Sequence, residues 1–211
     1  MWPAIDEELI MAQNRGLLRG LVLNAGAGLR DVSHLVDGEL INQDIRWPND
    51  KRTHIDIFSP LHQIPKPTDF FDTILCIAVL EHVENPDEVV QEFFRVLKPS
   101  GYVIASVPFL QPEHKVPTDF QRYTRDGLTR LFSVHGFEVE EVFPLFTVYH
   151  TMHWIIYEWL TLRNTLLNKI MRLILLPPLL LLAKGSSIKS DKLASAFQIF
   201  ARKPSTRLSP D

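Results

Sequence analysis

Two glycines and one carboxylate are the first residues in this chain whose types and spacing suggest chemistry. Leu21–Leu23 is a short apolar run that ends in Asn24-Ala25-Gly26-Ala27-Gly28. Gly26 and Gly28 let the backbone pass close to a ligand, because no Cβ stands in the way. Asp44 follows Gly28 by 16 residues, at the end of a second β-rich run, Glu39–Ile45. In doubly wound folds an acid at that place accepts hydrogen bonds from ribose hydroxyls, so the pair reads as a nucleoside site. Asp31 stands where dinucleotide binders carry their third glycine, which argues against NAD.

A second group lies in the loop from Pro108 to Thr124, which holds His114, Asp119, Arg122 and Tyr123 and is stiffened by prolines 112 and 117. A loop of this length and polarity, leaving a central strand, is where open α/β sheets place ligands. His114 and His82 are candidate bases, since imidazole titrates near neutral pH. Structural roles stand beside these: Asp119 and Arg122 pairing to brace the loop, Tyr123 packed beneath it, and His82 closing a turn. No Cys/His spacing suggests a metal site, and no Ser/His/Asp set suggests a hydrolase.

These residues need a parallel sheet to position them. Short β-rich runs alternate with helical patterns from residue 5 onward. A leading helix is expected at 5–16 and strands at Leu21–Leu23, Glu39–Ile45, His54–Phe58, Asp72–Val79, Tyr102–Val107, Phe137–Val142 and Ala196–Ala201. Asn85, Pro86, Asp87 and Glu88 mark a helix start, and Lys98-Pro99-Ser100-Gly101 its stop. A further helix runs from its cap at Thr124 to His135. The expected fold is α/β, a doubly wound, mostly parallel seven-stranded sheet with a helical apolar insertion before the last strand. The expected divisions are a core over 1–149, the insertion over 150–190, and the last strand with its tail over 191–211.

Composition agrees with one globular unit. The chain has 211 residues and a single cysteine, Cys76, so it has no internal disulfide and no multi-cysteine zinc site. Residues 1–149 carry 13 basic and 22 acidic groups, whereas 150–211 carry 9 basic and 3 acidic. With an overall charge of −3, no global basic field suggests nucleic acid. The basic, leucine-rich end does raise the question of a membrane. Its longest uncharged apolar run, Leu173–Ala183, is 11 residues broken by Pro177-Pro178, against about 20 needed to cross a bilayer. Trp154, Tyr157 and Trp159 are of the type that settles at membrane interfaces. The region 150–184 therefore reads either as an in-plane amphipathic hairpin on lipid, or as a lid or homodimer surface. Met1–Glu8 is acidic with no apolar stretch after it, so a cytoplasmic protein is expected, peripheral on the inner face of the membrane where the insertion meets lipid.

The series LVLNAGAG (21–28), Asp44, Asp56, FDTILCIAVLEHV (71–83) and NPDEVVQEFFRVLKPSGYVIASVP (85–108) resembles the class I S-adenosylmethionine-dependent methyltransferases. The resemblance covers about residues 20–145 and the last strand. It implies S-adenosylmethionine as cofactor and an antiparallel seventh strand. It implies Gly26 and Gly28 beside the methionine portion, Asp44 on the ribose, Asp56 on the adenine amino group and Ile57 against the base. Cys76, Ile77 and Ala78 would line the cofactor. Asn24 stands where the family usually has an acid, and Arg30 where it has a third glycine. The stretch from His114 to Thr124 is similar to methyltransferases of glycan and surface-polymer pathways. The expected activity is methyl transfer to an oxygen or nitrogen of a small-molecule or lipid-linked acceptor. The alternative is a non-catalytic methyltransferase-like module that binds a membrane or a protein partner.

Overall fold

The computed structural model describes residues 6–115 and 118–205. Seven strands form one sheet: β1 (Arg19–Ala25), β2 (Asp37–Asp44), β3 (Ile57–Phe58), β4 (Phe71–Ile77), β5 (Leu97–Pro108), β6 (Glu138–Leu145) and β7 (Ala196–Arg202). Their order is β3-β2-β1-β4-β5-β7-β6, and β7 runs antiparallel to both neighbours. The order reverses at β1, which pairs with β2 on one side and β4 on the other. Open α/β sheets bind ligands beyond the strand ends at such a reversal.

Helices cover the sheet unequally. α2 (Pro86–Val96) and α3 (Arg125–Ser133) contribute Val89, Val90, Phe93, Leu128 and Phe132 to the larger core cluster, against Ile74, Val103 and Phe197 of the strands. The other face is covered by α1 (Asp6–Asn14), through Leu9 and Ala12, and by a single 3-10 turn, Ser33–Leu35. That turn is the one helical element in the crossover between β1 and β2. Thr124 caps α3 by accepting from the Gly127 N–H at 3.1 Å, as Thr side chains do at helix starts.

Three expectations on extent are corrected. β3 is only two residues long, and just before it the Asp56 side chain, not a strand carbonyl, accepts from the Asn42 N–H of β2. Lys98–Gly101, expected to be a stop between helix and strand, belongs to β5, with Ser100 turned at φ 66°. The apolar insertion begins earlier, as α4 (Val148–Thr161), and continues as α5 (Leu166–Gly185), which runs unbroken through Pro177 and Pro178. Proline has no N–H, so the carbonyls of Leu173 and Ile174 lose their intrahelical donors.

α4 and α5 pack along each other as a hairpin. Thr151 on α4 ties it to the segment before β7, donating to the Leu193 carbonyl at 2.8 Å. Most of the hairpin's apolar side chains face outward: Trp159 is 55% exposed and Leu173 77%. By length and composition alone α5 is long and apolar enough to cross a membrane.

Candidate active site

At the sheet reversal lies a cleft of about 980 Å³. Gly26, Gly28, Gln43 and Asp44 line its glycine-turn side, and Ala78, Val79, His82, Val83 and His114 line another part. The turn after β1 is held from β2. The N–H groups of Gly26 and Ala27 both donate to the Gln43 carbonyl at 2.9 Å, and Gly26 N–H also reaches Gln43 Oε1 at 3.1 Å. Gly26 sits at φ 70°, and a Cβ there would come within 2.6 Å of Val79. Only glycine combines that conformation with that approach.

Asp44 is the best-furnished acid of the cleft. Its Oδ2 accepts from Gly28 N–H at 2.8 Å and from Arg52 Nη1, while Oδ1 accepts from Ile45 N–H at 2.7 Å. Arg52 also bonds to Asp50 and to the Ile45 carbonyl, and its guanidinium lies 3.6 Å from the Trp47 ring centre. The Arg52 guanidinium holds the Asp50 carboxyl far below the usual carboxylate range. Sequence inspection missed Gln43 and Arg52. Only the β2–β3 register and the loop fold show their roles.

The other expected cofactor residues divide. Gly26, Gly28, Asp44 and Ala78 line the cleft, and Ala78 adopts a left-handed φ of 55° at the end of β4. Asn24, Asp56, Ile57, Cys76 and Ile77 do not line it. Asn24 is buried and donates to Asn42 Oδ1 at 2.9 Å. Asp56 accepts from the Asn42 N–H at 2.8 Å on the exposed edge of β2. Ile57, Cys76 and Ile77 are core, and burial pushes the Cys76 thiol up. Pro60, Leu61 and His62 stand in the cleft wall after β3 instead.

The Pro108–Thr124 loop folds back onto the Leu80-Glu81-His82 turn. Phe120 N–H donates to the Glu81 carbonyl at 2.8 Å, and Gln121 Nε2 to the carbonyls of Leu80 and Val83 at 3.0 and 3.1 Å. Asp119 and Arg122 form a two-pronged ion pair. Arg122 also donates to the Gln111 and Pro112 carbonyls, and Asp119 Oδ2 accepts from His114 N–H at 2.8 Å. The guanidinium pulls the Asp119 carboxyl down to about 2. Tyr123 is buried beneath, and burial lifts its phenol above the usual range. None of Asp119, Arg122 and Tyr123 lines the cleft; they hold the loop that presents His114.

His114 and His82 pack edge to face with ring centres 5.2 Å apart, and the Trp154 ring of α4 lies 5.9 Å from that of His114. The nearby Glu81 carboxylate, with the Pro112 carbonyl, raises the His114 pKa against the opposing effect of burial. No contiguous sequence spacing announced Glu81, His82 and His114 as a set; the returning loop assembles it.

The cleft fits a nucleoside cofactor on its glycine-turn side. A Cβ at Gly28 would meet open space, and Asp44, with three donors recorded, keeps room for a further hydrogen bond. Residues 37–105 match the family model of the methyltransferase domain. Together with the sheet order and the glycine–acid pair, that match supports a class I S-adenosylmethionine-dependent methyltransferase, with S-adenosylmethionine as cofactor.

Among curated proteins, the chain is similar to the ubiquinone/menaquinone biosynthesis C-methyltransferase UbiE of Vibrio parahaemolyticus. The two are 31% identical over 96 residues, 41% of this chain and 37% of that protein. The chain thus spans little more than a third of such a relative. Among solved structures, an S-adenosylmethionine-dependent methyltransferase from Mesorhizobium loti superposes with TM-score 0.55 at 14% identity, over 93% of this chain and 98% of that one. Phosphoethanolamine N-methyltransferase 2 of Haemonchus contortus, solved with S-adenosyl-L-methionine, gives 0.59 at 13% identity over 95% and 53%. The [4+2]-cyclase SpnF gives 0.62 at 15% over 95% and 82%. These three likenesses establish the fold.

Proposed function

We propose that the chain transfers a methyl group from S-adenosylmethionine to an oxygen or nitrogen of a lipid-linked acceptor, working at the cytoplasmic face of a membrane. The observation that carries this is one continuous cleft. Gly28 and Asp44 stand in one part of it, His82 and His114 in another, and His114 touches an exposed apolar hairpin through Trp154. S-adenosylmethionine, when bound, supplies a methyl group already activated on a sulfonium. Gly26, Gly28 and Asp44 would hold it. The work left to the protein is to bring the acceptor atom in line and to keep water out.

His82 and His114 stand where the acceptor's reacting group would lie, and with Glu81 they form the group able to compensate the loss of its proton. Asp119 and Arg122 act through His114 by fixing its backbone. The hairpin serves delivery. The uninterrupted apolar part of α5 beyond Arg172, Leu173–Ala183, is about 16 Å long at 1.5 Å per residue, half of a hydrocarbon core of about 30 Å. Lying in the interface suits it better than crossing. The region's basic excess adds attraction to anionic lipid, about 1 kcal/mol per cation near the surface. The rival use of the same face is a homodimer contact.

The test is a transfer assay with labelled cofactor, run on lipid-extract vesicles and on soluble metabolites. Counts incorporated into the lipid fraction, and lost with His114→Ala at unchanged cofactor affinity, support the proposal. The named UbiE relative is a C-methyltransferase, so a carbon acceptor is included in the same screen. A second reading, a binding module without catalysis, is favoured by the Arg52 guanidinium already seated on Asp44. Titration with S-adenosylmethionine separates the two, since such a module binds it poorly. Protein that stays in the supernatant with anionic vesicles at low salt, and runs as a dimer, removes the membrane part.

A further inference from the structure

Glu81 is completely buried, and among the described residues neither of its carboxylate oxygens has a hydrogen-bond partner. Buried carboxylates are ordinarily surrounded by donors, so a partnerless one in a folded core asks for an explanation. Two imidazoles face it. Nε2 of His114 lies 3.5 Å from Glu81 Oε1, and Nε2 of His82 lies 3.7 Å from the same atom.

The opposite ring nitrogens fix the neutral tautomer of each histidine. His82 Nδ1 lies 2.5 Å from the Thr118 carbonyl, and His114 Nδ1 lies 3.1 Å from the Pro112 carbonyl. A carbonyl only accepts, so each Nδ1 carries the proton. Arg122 Nη2 stands farther from His114 Nδ1, at 3.4 Å, and already donates to Asp119 and Pro112. In the neutral rings both Nε2 lone pairs then point toward a carboxylate. Three acceptors converging with no donor among them repel one another, unless a metal ion or an added imidazole proton lies between.

Histidines that bind metals are arranged this way, with the outer N–H fixed on a backbone carbonyl and the inner nitrogen free to ligate. We infer that Glu81, His82 and His114 form a binding site for a divalent cation of the zinc type. The separations of 3.5 and 3.7 Å are close to the roughly 3.4 Å edge of a tetrahedron with bonds of about 2.1 Å. Two imidazoles and one carboxylate select zinc over magnesium, which prefers oxygen ligands and water. Both histidines line the cleft, so a fourth position opens to it, as in zinc sites that bind a reactant. The site uses the histidines that the proposed transfer sets beside the acceptor, and its zinc uptake is read without turnover.

The full chain, stripped with a chelator, is titrated with zinc in competition with a chromophoric chelator, and with cobalt(II) as a spectroscopic probe. One equivalent binds, cobalt gives the visible absorption of a four-coordinate ion, and excess magnesium does not compete. His82→Ala and His114→Ala each weaken zinc binding by more than the roughly 10- to 100-fold that loss of an outer-shell partner costs. Glu81→Gln weakens it likewise and, free of metal, melts no lower than the parent. Circular dichroism confirms that each variant is folded, and either histidine variant suffices if the other fails. Absence of saturable zinc uptake overturns the inference, as does uptake that persists unchanged in folded variants, which would assign the ion to other side chains.

Discussion

In one part of the cleft, Asp44 accepts from two backbone N–H groups and a guanidinium; near its histidine wall, Glu81 is more deeply buried and accepts from nothing. Asp44 ends one parallel strand and Glu81 follows another, and the two are carboxylates in two conditions. Asp44 is preorganised by the protein and offers a ligand the little capacity it has left. Glu81 has its whole capacity unspent, with two imidazoles aimed at it. A satisfied acid defines a rigid wall, whereas an unsatisfied one stores a demand that a bound species can meet.

The contrast can be broken at its supports. The largest effect is expected for Arg122→Ala, which strands the buried Asp119 and frees three carbonyl contacts of the loop over Glu81. Breaking such a pair costs about 3 kcal/mol, read as a lower urea midpoint at unchanged m-value, with turnover falling in step. Next comes Asp44→Ala. Removing a charged acceptor costs about 1.5–3 kcal/mol, or roughly 10- to 150-fold in S-adenosylmethionine affinity by calorimetry. An unchanged affinity would place the ribose elsewhere. The acid limb of stability comes third. Asp119 is held at about 2 in the fold, against 3.8 for the free group. Its contribution is therefore complete above pH 3.8 and lost as pH falls toward 2, and Asp119→Asn should flatten unfolding curves over that window. The smallest effect separates the two acids by sign. In metal-free protein Asp44→Asn should lower the melting temperature, and Glu81→Gln should raise it by about 2 °C, the shift of under 1 kcal/mol in a chain of this size.

What the sequence made legible was whatever is decided locally. The glycine turn, the acid ending β2, the capped start of α2 and the alternation of strands and helices all follow from short-range pattern, and the structure has them. Arg52 was not legible because a loop arginine acquires meaning only when the chain folds it between Asp44, Asp50 and Trp47. Glu81 was hidden for the opposite reason. A glutamate in a turn reads as solvated, and it is buried only because residues 118–123, some forty positions later, close over it. Asp56 and Cys76 carry the family pattern, while the roles the fold itself shows for them, a bond to Asn42 and a place in the core, depend on pairing between strands. Pro177-Pro178 reads as a break, yet packing of α5 along α4 keeps the helix continuous.

Those two prolines also bear on depth. A carbonyl without a donor is inexpensive among headgroups and water, and costs several kcal/mol in hydrocarbon. On a bilayer, the bare carbonyls of Leu173 and Ile174 would act as a float line, holding the middle of α5 at the wet boundary while the leucines beside them reach inward. An otherwise greasy hairpin would then be kept from sinking, and the cleft behind Trp154 would stay level with the layer where lipid headgroups lie.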